Sequence, residues 1–317
     1  MRTAVIALGG NALLKPEDKG TYEEQMKNVK ESAEPLANII EMGYDVIFTH
    51  GNGPQVGNIL LQNEIAAKEG IPPMPLDVCV AESQGLIGYM IQQALSNELM
   101  KRGIERTVSS MIVQVVVDEN DPAFENPTKP VGPFYTEKEA KRLMIEKGWI
   151  MREDKARGGW RRVVPSPKPI DIVEKEAIKR LIFGKTPGEL VIAVGGGGIP
   201  VIKTEYGYKG VEAVIDKDRA SALLAKLIGE RLFIILTAVD NVYINYGKED
   251  EMPLDVVTLD EIKTYYKEGQ FPAGSMGPKI EAAIDFLENG GEEVIITSPE
   301  KLEKAVKRRA GTHILRE

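Results

Sequence analysis

Short, wholly apolar runs alternate with segments of helical periodicity along most of the chain. Runs of five apolar residues occupy positions 4–8 (AVIAL), 190–194 (LVIAV) and 232–236 (LFIIL). A run of this length is typical of a strand that is buried on both faces of a parallel sheet. Between such runs, apolar residues recur every three or four positions, as they do from Tyr22 to Met42, which indicates a helix with one buried face. The alternation predicts an α/β fold around a large, mainly parallel sheet.

The remaining elements follow from the same patterns and from residues typical of helix ends. Further strands are predicted at 45–49, 111–117 and 293–297. Further helices are predicted at 81–102, ending at Gly103, at 171–183, and up to Asn289. Two capping boxes and one N-cap predict the starts of three more helices, at Thr136 with Glu139, at Thr258 with Glu261, and at Ser298.

The composition changes in the middle of the chain. Residues 118–169 are rich in proline, glycine and charge, and they form a connection much longer than is usual in an α/β core. We interpret this stretch as a projecting lid subdomain, with a surface excursion without a role as the alternative. A boundary near Gly229 would divide the chain into an N-terminal domain of residues 1–228, which includes the lid, and a C-terminal domain of residues 229–317.

Composition and charge exclude several classes of protein. The 317 residues are 43% hydrophobic and 28% charged, as expected of a folded enzyme. A net charge of −8 argues against a nucleic-acid partner, which requires a basic face. One cysteine and two histidines exclude an intrachain disulfide and a metal cluster built from these residues. No apolar stretch approaches the length of a membrane span, so we expect a cytoplasmic protein with no membrane partner.

Glycine-rich turns stand at the ends of predicted strands. They occupy positions 9–11, 51–53, 195–198 and 274–277. One such turn is often only a sharp corner, but four of them favour a site where backbone N–H groups surround an anion, most plausibly a phosphate.

Two standard nucleotide-binding motifs are excluded. Residues 184–186 (GKT) end like a P-loop, but Lys179 occupies the position where that motif requires glycine. The four glycines at 195–198 are followed by Pro200 and extended sequence instead of the third glycine and helix of a dinucleotide fingerprint. A Rossmann dehydrogenase is therefore disfavoured.

Three lysines are candidates for compensating phosphate charge. Phosphoryl transfer depends mainly on positioning and on neutralising the transferred oxygens. Lys217 lies between two aspartates at a strand-to-helix junction, Lys279 begins the helix after the last glycine turn, and Lys129 lies on the lid. Asp218 could hold two of these ammonium groups or cap the next helix. His50 adjoins the second glycine turn, where a structural role is favoured over a catalytic one.

Seven motifs together resemble one family. They are ALGGNAL at 7–13, THGNGPQVG at 49–57, NPTKPVGPFY at 126–135, VGGGGIPV at 194–201, GVEAVIDKDRAS at 210–221, LTAVDNVY at 236–243 and GSMGPKIEAA at 274–283. In this order, over nearly the whole chain, they resemble the carbamate kinase family of the amino-acid kinase superfamily. The resemblance implies an open αβα sandwich, a homodimer, and reversible phosphoryl transfer from ATP to carbamate that gives ADP and carbamoyl phosphate. It also implies Mg²⁺ held mainly by nucleotide phosphates, without dedicated protein ligands.

The resemblance also implies roles for individual residues. The catalytic residues would be Lys129, Lys217, Asp218 and Lys279. Substrate and the transferring phosphoryl group would be bound by Gly9, Gly10, Asn11, Gly51, Asn52, Gly53, Gly196 and Gly197. The nucleotide would be bound in the C-terminal domain by Thr237, Ala238, Asp240, Tyr243, Met276, Gly277 and Lys279.

One departure from other superfamily members favours carbamate as the substrate. Acetylglutamate and uridylate kinases share a lysine two positions before the first glycine of the first turn. This chain has Ala7 at that position, before Gly9. Lys217 is the natural substitute for that charge. The absence of an obvious general base also suits carbamate, whose oxygen is already anionic. The alternatives are a related kinase of another small carboxylate and a non-catalytic nucleotide or amino-acid sensor.

Overall fold

The computed structural model describes residues 2–10, 13–15, 18–154, 158–184, 188–272 and 275–317. The strands are β1 (Arg2–Leu8), β2 (Tyr44–His50), β3 (Val108–Ser110), β4 (Gln114–Val117), β5 (Lys129–Tyr135), β6 (Met151–Glu153), β7 (Trp160–Val164), β8 (Pro169–Ile172), β9 (Leu190–Ile192), β10 (Ile199–Thr204), β11 (Gly207–Gly210), β12 (Leu232–Leu236), β13 (Val242–Ile244), β14 (Met252–Leu254), β15 (Val256–Thr258), β16 (Glu293–Thr297) and β17 (Thr312–Leu315). The α-helices are α1 (Tyr22–Glu41), α2 (Gly53–Lys68), α3 (Leu76–Lys101), α4 (Glu137–Lys147), α5 (Lys175–Phe183), α6 (Lys217–Ile228), α7 (Leu259–Lys267), α8 (Gly277–Glu288) and α9 (Leu302–Val306).

Eight strands form the central sheet, in the order β15-β17-β16-β12-β1-β2-β9-β3. All neighbours are parallel except β16 and β17, which are antiparallel. Because side chains alternate across a strand, β1 contributes Ala4 and Ile6 to a core with α1 and α3, and Val5 and Ala7 to a core with α6 and α8. The sheet between two helical layers is the predicted open αβα sandwich, so the fold class is confirmed.

The sheet order brings the predicted turns together. β12, β1, β2 and β9 are neighbours and run in the same direction, so their carboxyl ends meet at one edge. The chain leaves this edge through Thr237, Gly9, Gly51 and Gly195. Ligands of open α/β sheets bind at such an edge.

The predicted strand at 111–117 is confirmed only for its last four residues, Gln114–Val117. β3 ends at Ser110 in the central sheet, and β4 begins at Gln114 in a second sheet of order β11-β10-β4-β8. The Gln84 side chain of α3 takes both backbone groups of Val113 between them: it accepts from the Val113 N–H at 3.0 Å and donates to its carbonyl at 3.2 Å. The Val113 N–H is therefore bonded to a side chain, while its carbonyl also accepts from the backbone N–H of Ile199 in β10 at 2.9 Å, so only the carbonyl takes part in strand pairing.

Two predicted helix starts also need correction. The predicted helix at 171–183 begins only at Lys175, because Pro169–Ile172 pairs antiparallel with β4 as β8. Ser298 does not cap a helix through its side chain: its hydroxyl donates to Asp240 at 2.5 Å, and a 3₁₀ turn at Pro299–Lys301 precedes α9. The capping boxes at Thr136 and Thr258 are confirmed.

The lid consists of β5, α4, β6 and β7, with an antiparallel sheet of order β5-β7-β6. It packs against α2 through apolar residues of both parts, Val56, Leu60, Val131 and Val164. The backbones also touch, since a Cβ on Gly57 of α2 would overlap the backbone of Gly132 in β5. The folded unit at 129–164 is shorter than the predicted lid at 118–169.

The predicted boundary near Gly229 falls between α6 and β12. Strands from both sides of it pair in one sheet, where Val5 of β1 stands opposite Phe233 of β12. The division into residues 1–228 and 229–317 stays a prediction. Among the described residues, no helix is both long enough and apolar enough to cross a lipid bilayer.

The backbone contact between the lid and α2 can be tested with two glycine variants. Gly57→Ala places a methyl group on the Gly132 backbone, and we expect it to lower the free energy of unfolding by about 1–3 kcal/mol through overpacking. Gly85→Ala in α3 is the control, because a Cβ there meets nothing within 4 Å and alanine favours a helix. Urea unfolding measures both. A Gly57→Ala variant as stable as the control would contradict the contact.

Candidate active site

A cleft of about 1080 Å³ opens at the carboxyl edge of the central sheet. Most of the residues predicted from the sequence line it: Gly9, Gly10, Gly51, Asn52, Gly53, Lys129, Gly196, Lys217, Asp218, Thr237, Ala238, Tyr243, Met276 and Lys279. Glycine turns, the lid and the first turns of α6 and α8 therefore meet at one place.

Some predicted residues lie elsewhere or outside the described residues. Gly197 is not among the residues that line the cleft and packs against the backbone of Ile215. Gly277 lies in the first turn of α8, against the backbone of Pro272. Asp240 accepts a hydrogen bond from Ser298 instead of facing the cleft. Asn11 and Gly274 are outside the described residues. The roles predicted for all of these residues stay predictions.

Two of the three lysines share one carboxylate. The Lys217 ammonium lies 2.5 Å from Oδ1 of Asp218, and the Lys279 ammonium lies 3.2 Å from Oδ2 of the same residue. The Asp218 side chain is 4% exposed. A buried carboxylate between two ammonium groups fixes both cations at one end of the cleft.

The third lysine pairs with a residue that the sequence analysis did not single out. Lys129 reaches across from the lid and donates to Oδ2 of Asp216 at 2.7 Å. The other oxygen of Asp216 accepts from the backbone N–H groups of Asp218 and Arg219, at 3.0 and 3.3 Å. Asp216, and not Asp218, is therefore the N-cap of α6. The IDKD motif holds a signal for this role, an aspartate directly before a helix.

The pKa values follow from this arrangement. Burial alone would raise the pKa of Asp218, but the charges of Lys217 and Lys279 outweigh burial and hold that pKa below its ordinary value. The Lys129 charge does the same for Asp216, again against burial. Burial lowers the pKa of Lys217, and the Asp218 charge opposes this change. Both carboxylates are ionised at neutral pH and compensate the lysines.

The first turn of α6 is tied to strand β2. Ser221 donates to the backbone carbonyl of Lys217 at 2.5 Å, so Thr49 donates to Ser221 at 2.6 Å. All of these groups are buried or partly buried. The position of Lys217 is thus set by the end of the strand that leads into Gly51–Gly53.

His50 is a structural residue in this arrangement. Its Nδ1 donates to the carbonyl of Gly51 at 3.0 Å, and its ring packs against Gly195, where a Cβ would overlap it. Burial lowers the pKa of His50 to about 4, helped by the charge of Lys217 and opposed by the hydrogen bond to Gly51. The ring is therefore neutral at physiological pH and poorly suited to exchange protons there.

The glycine run at 195–198 adopts a backbone that few residues tolerate. Gly196, Gly197 and Gly198 have φ values of 65°, 89° and 87°, and Val194 before them has φ of 55°. For a β-branched residue this is a strained conformation. Gln84 of α3 donates to the carbonyl of Gly195 at 3.0 Å and helps to hold the turn in place.

Polar residues on the buried face of α3 were missed by the sequence analysis. Asn52 donates through its amide to Ser83 at 2.8 Å, and Ser83 donates to the carbonyl of Val80 at 2.6 Å. Gln84 follows directly. Positions 83 and 84 continue the helical spacing of the buried apolar residues Cys79, Val80 and Ile87. Polar residues at these two positions were the available signal, because buried polar groups need partners.

Two aromatic residues that line the cleft were also missed. Tyr246 and Phe271 line it beside Tyr243. The rings of Tyr243 and Tyr246 meet edge to face, 6.1 Å apart. These rings add aromatic surface to the lining of the cleft.

Comparisons with known proteins identify the family. The family described as "Amino acid kinase family" matches residues 2–298. A Pyrococcus furiosus protein named carbamate kinase is 56% identical over 315 residues, which are 99% of this chain and 99% of that protein. The chain belongs to the carbamate kinase family.

Solved structures agree with this membership in the carbamate kinase family. The chain is 48% identical to carbamate kinase from Giardia lamblia bound to citric acid, with a TM-score of 0.93. It is 49% identical to the Giardia lamblia enzyme bound to AMP-PNP, with a TM-score of 0.91. Both comparisons cover 100% of this chain and 99% of the other. The resemblance inferred from the seven motifs is confirmed.

The ion pair between Asp216 and Lys129 should make the stability of the protein depend on pH. Folding lowers the pKa of Asp216, so its carboxylate stabilises the folded protein at pH values above the ordinary pKa of an aspartate. This stabilisation is lost as the pH falls through the lower pKa of the folded state. Asp216→Asn keeps a helix-capping side chain but removes the charge. We expect a free energy of unfolding lower by about 1–2 kcal/mol at neutral pH, with a difference that shrinks below about pH 4.

Denaturant unfolding at several pH values measures this difference. Asp260→Asn is the matched control, because Asp260 is an exposed residue in the first turn of α7. Equal stability of Asp216→Asn and the unaltered protein at neutral pH would contradict a stabilising pair.

Proposed function

We propose that this protein is a carbamate kinase that transfers a phosphoryl group reversibly between ATP and carbamate, giving ADP and carbamoyl phosphate. One observation carries the proposal: Lys129, Lys217 and Lys279 come from three parts of the chain and converge on Asp216 and Asp218 in one cleft. Its glycine-lined walls offer backbone N–H groups to an anion. The full-length similarity to proteins named carbamate kinase supports the choice of substrate.

The lysine cluster suits the charge changes of phosphoryl transfer. An oxygen of carbamate attacks the γ-phosphorus of ATP, a new P–O bond forms, and the bond to the ADP oxygen breaks in line with it. Negative charge is spread over the three oxygens of the transferring group. Lys217 and Lys129 are proposed to neutralise these oxygens, while Asp218 holds Lys217 and Lys279 in position. Fixed charges that need no rearrangement stabilise the transition state most effectively.

No proton has to be removed from carbamate before it attacks, because its oxygen is already anionic. The neutral His50, bonded to Gly51, is consistent with a reaction that needs no general base. An alcohol substrate would require one.

The two ends of the cleft are assigned to different ligands. We place carbamate and the transferring phosphoryl group beside the turns at 9–11, 51–53 and 195–198. The nucleotide is placed beside Thr237, Ala238, Tyr243, Met276 and Lys279, with Asp240 and Gly277 retained as predictions. The apolar, aromatic character of that end fits a base, and a relative with bound AMP-PNP supports a nucleotide site in this fold.

Mg²⁺ would enter with the nucleotide. Asp216 and Asp218, the aspartates that line the cleft, are already paired with lysines. Among the described residues, no group of three or more histidine, cysteine or acidic side chains is arranged to hold a metal ion. We therefore propose that phosphate oxygens and water supply most of its ligands, as is common for Mg²⁺.

Three further expectations remain proposals. The N-terminal domain would bind carbamate and the C-terminal domain the nucleotide. The protein would form a homodimer, as the family resemblance implies. A cytoplasmic location follows only from the sequence composition.

The direct test supplies carbamoyl phosphate and Mg-ADP and measures ATP. We expect rapid ATP formation, no ATP when acetylglutamyl phosphate replaces carbamoyl phosphate, and no UTP when UDP replaces ADP. ATP formation from acetylglutamyl phosphate would favour a related kinase of another carboxylate. Nucleotide binding without turnover would favour a sensor.

Lys217→Met tests the lysine cluster, because it keeps an apolar stem and removes the charge. We expect kcat for ATP formation to fall by roughly 100-fold or more, as for other preorganised charges. Lys226→Ala is the control, since Lys226 is an exposed lysine of the same helix. Circular dichroism checks that the variant is folded. Undiminished turnover would remove Lys217 from the mechanism.

A further inference from the structure

A second charged cluster joins the lid to the body, outside the set of residues that line the cleft. Glu64 of α2 forms an ion pair with Lys147, at the end of lid helix α4. Its other oxygen lies 3.6 Å from the Arg162 guanidinium of lid strand β7. Glu64 is thus one carboxylate of the body held between two cations of the lid.

An aromatic ring organises the lid side of this cluster. The Arg162 guanidinium lies over the Trp149 ring at 4.4 Å, and the Lys147 ammonium lies 5.0 Å from the same ring. Tyr135 meets Trp149 edge to face at 6.3 Å. Cation–π contacts and ring packing restrict both cations before they meet Glu64, so little conformational freedom is lost in the pair.

Burial separates this cluster from other ion pairs of the lid. The Glu64 and Arg162 side chains are 20% and 21% exposed, whereas Glu137 and Lys141 within α4 are 63% and 65% exposed. Burial lowers the pKa of Arg162, and the charge of Glu64 opposes this change. Removing one partner of a shielded pair costs more than removing one partner of an exposed pair, because it leaves an uncompensated, poorly solvated charge.

The lid sheet connects this cluster to Lys129. Arg162 of β7 stands opposite Val131 of β5, and Val164 stands opposite Lys129. The Glu64 contact therefore acts on a strand pair whose other member carries Lys129 two residues away. Lys129 is the first residue of β5, and its ammonium group donates a hydrogen bond to Asp216.

We propose that Glu64 is a positioning residue that latches the lid to α2 and so places Lys129 over the transferring phosphoryl group. The inference rests on the proposed kinase function. The apolar contacts of Val131 and Val164 with α2 bring the lid close, and the Glu64 latch sets where strand β5 lies. Small displacements of a catalytic charge reduce rates strongly.

Kinetics of Glu64→Gln test the latch. We expect kcat for ATP formation to fall about tenfold, with KM for ADP at the wild-type value, because no nucleotide contact changes. In a Lys129→Ala background the same substitution should have no further effect, since it acts through that lysine. Glu137→Gln is the matched control, because it removes an ion pair within the lid that does not reach α2.

Hydrogen exchange gives a readout that does not depend on activity. Weaker contacts between the lid and α2 lower the free energy of local opening of the lid sheet. Peptides that cover 129–135 and 160–164 should therefore take up deuterium faster in Glu64→Gln than in Glu137→Gln. Lys147→Gln approaches the latch from the lid side and should shift exchange in the same direction.

Two results would overturn the proposal. One is wild-type kcat with wild-type exchange in Glu64→Gln. The other is an equal fall in kcat with and without Lys129, which would show that Glu64 acts elsewhere. Failure of the unaltered protein to make ATP would instead reject the proposed function, and the exchange experiment would still test the latch.

Discussion

The active-site end of the molecule depends on the compensation of three cations by two carboxylates that lie two residues apart. Lys129, Lys217 and Lys279 would repel one another in a shared cleft if Asp216 and Asp218 did not separate them. Because the lysines belong to the lid, α6 and α8, the carboxylates also join three parts of the fold. The same Asp216 caps α6, so one carboxylate both starts that helix and binds a lysine of the lid.

The backbone supplies the complementary part of the site. Gly9 approaches the carbonyl of Leu236 so closely that a Cβ would lie 2.6 Å from it, and the run at 195–198 needs left-handed φ values. Lysines act as point charges, whereas N–H groups are directional and cannot be titrated away. The combination gives an anion both a strong field and a fixed orientation.

Local patterns predicted much of this fold, and long-range contacts account for most of the rest. The apolar runs at 232–236 and 293–297 became β12 and β16 without a change of bounds. Of the run at 111–117 only Gln114–Val117 is a strand, and the N–H of Val113 just before it is bonded to Gln84, almost thirty residues earlier. The convergence of the lysines was predicted from Lys217 and Lys279 at strand ends, from Lys129 on the lid, and from the family resemblance. The pairing of Lys129 with Asp216, 87 residues apart, has no counterpart in any local pattern.

The continuity of the central sheet limits how ligands can enter and leave the cleft. β1 is hydrogen-bonded to β2 on one side and to β12 on the other. Opening the cleft by moving these strands apart would break the hydrogen bonds of a buried parallel sheet. The sheet is therefore expected to stay fixed, and entry and release of ligands would depend on movement of the lid and the loops above it. The time that a ligand spends in the cleft would then depend on the lid and the loops above the sheet, and not on the sheet.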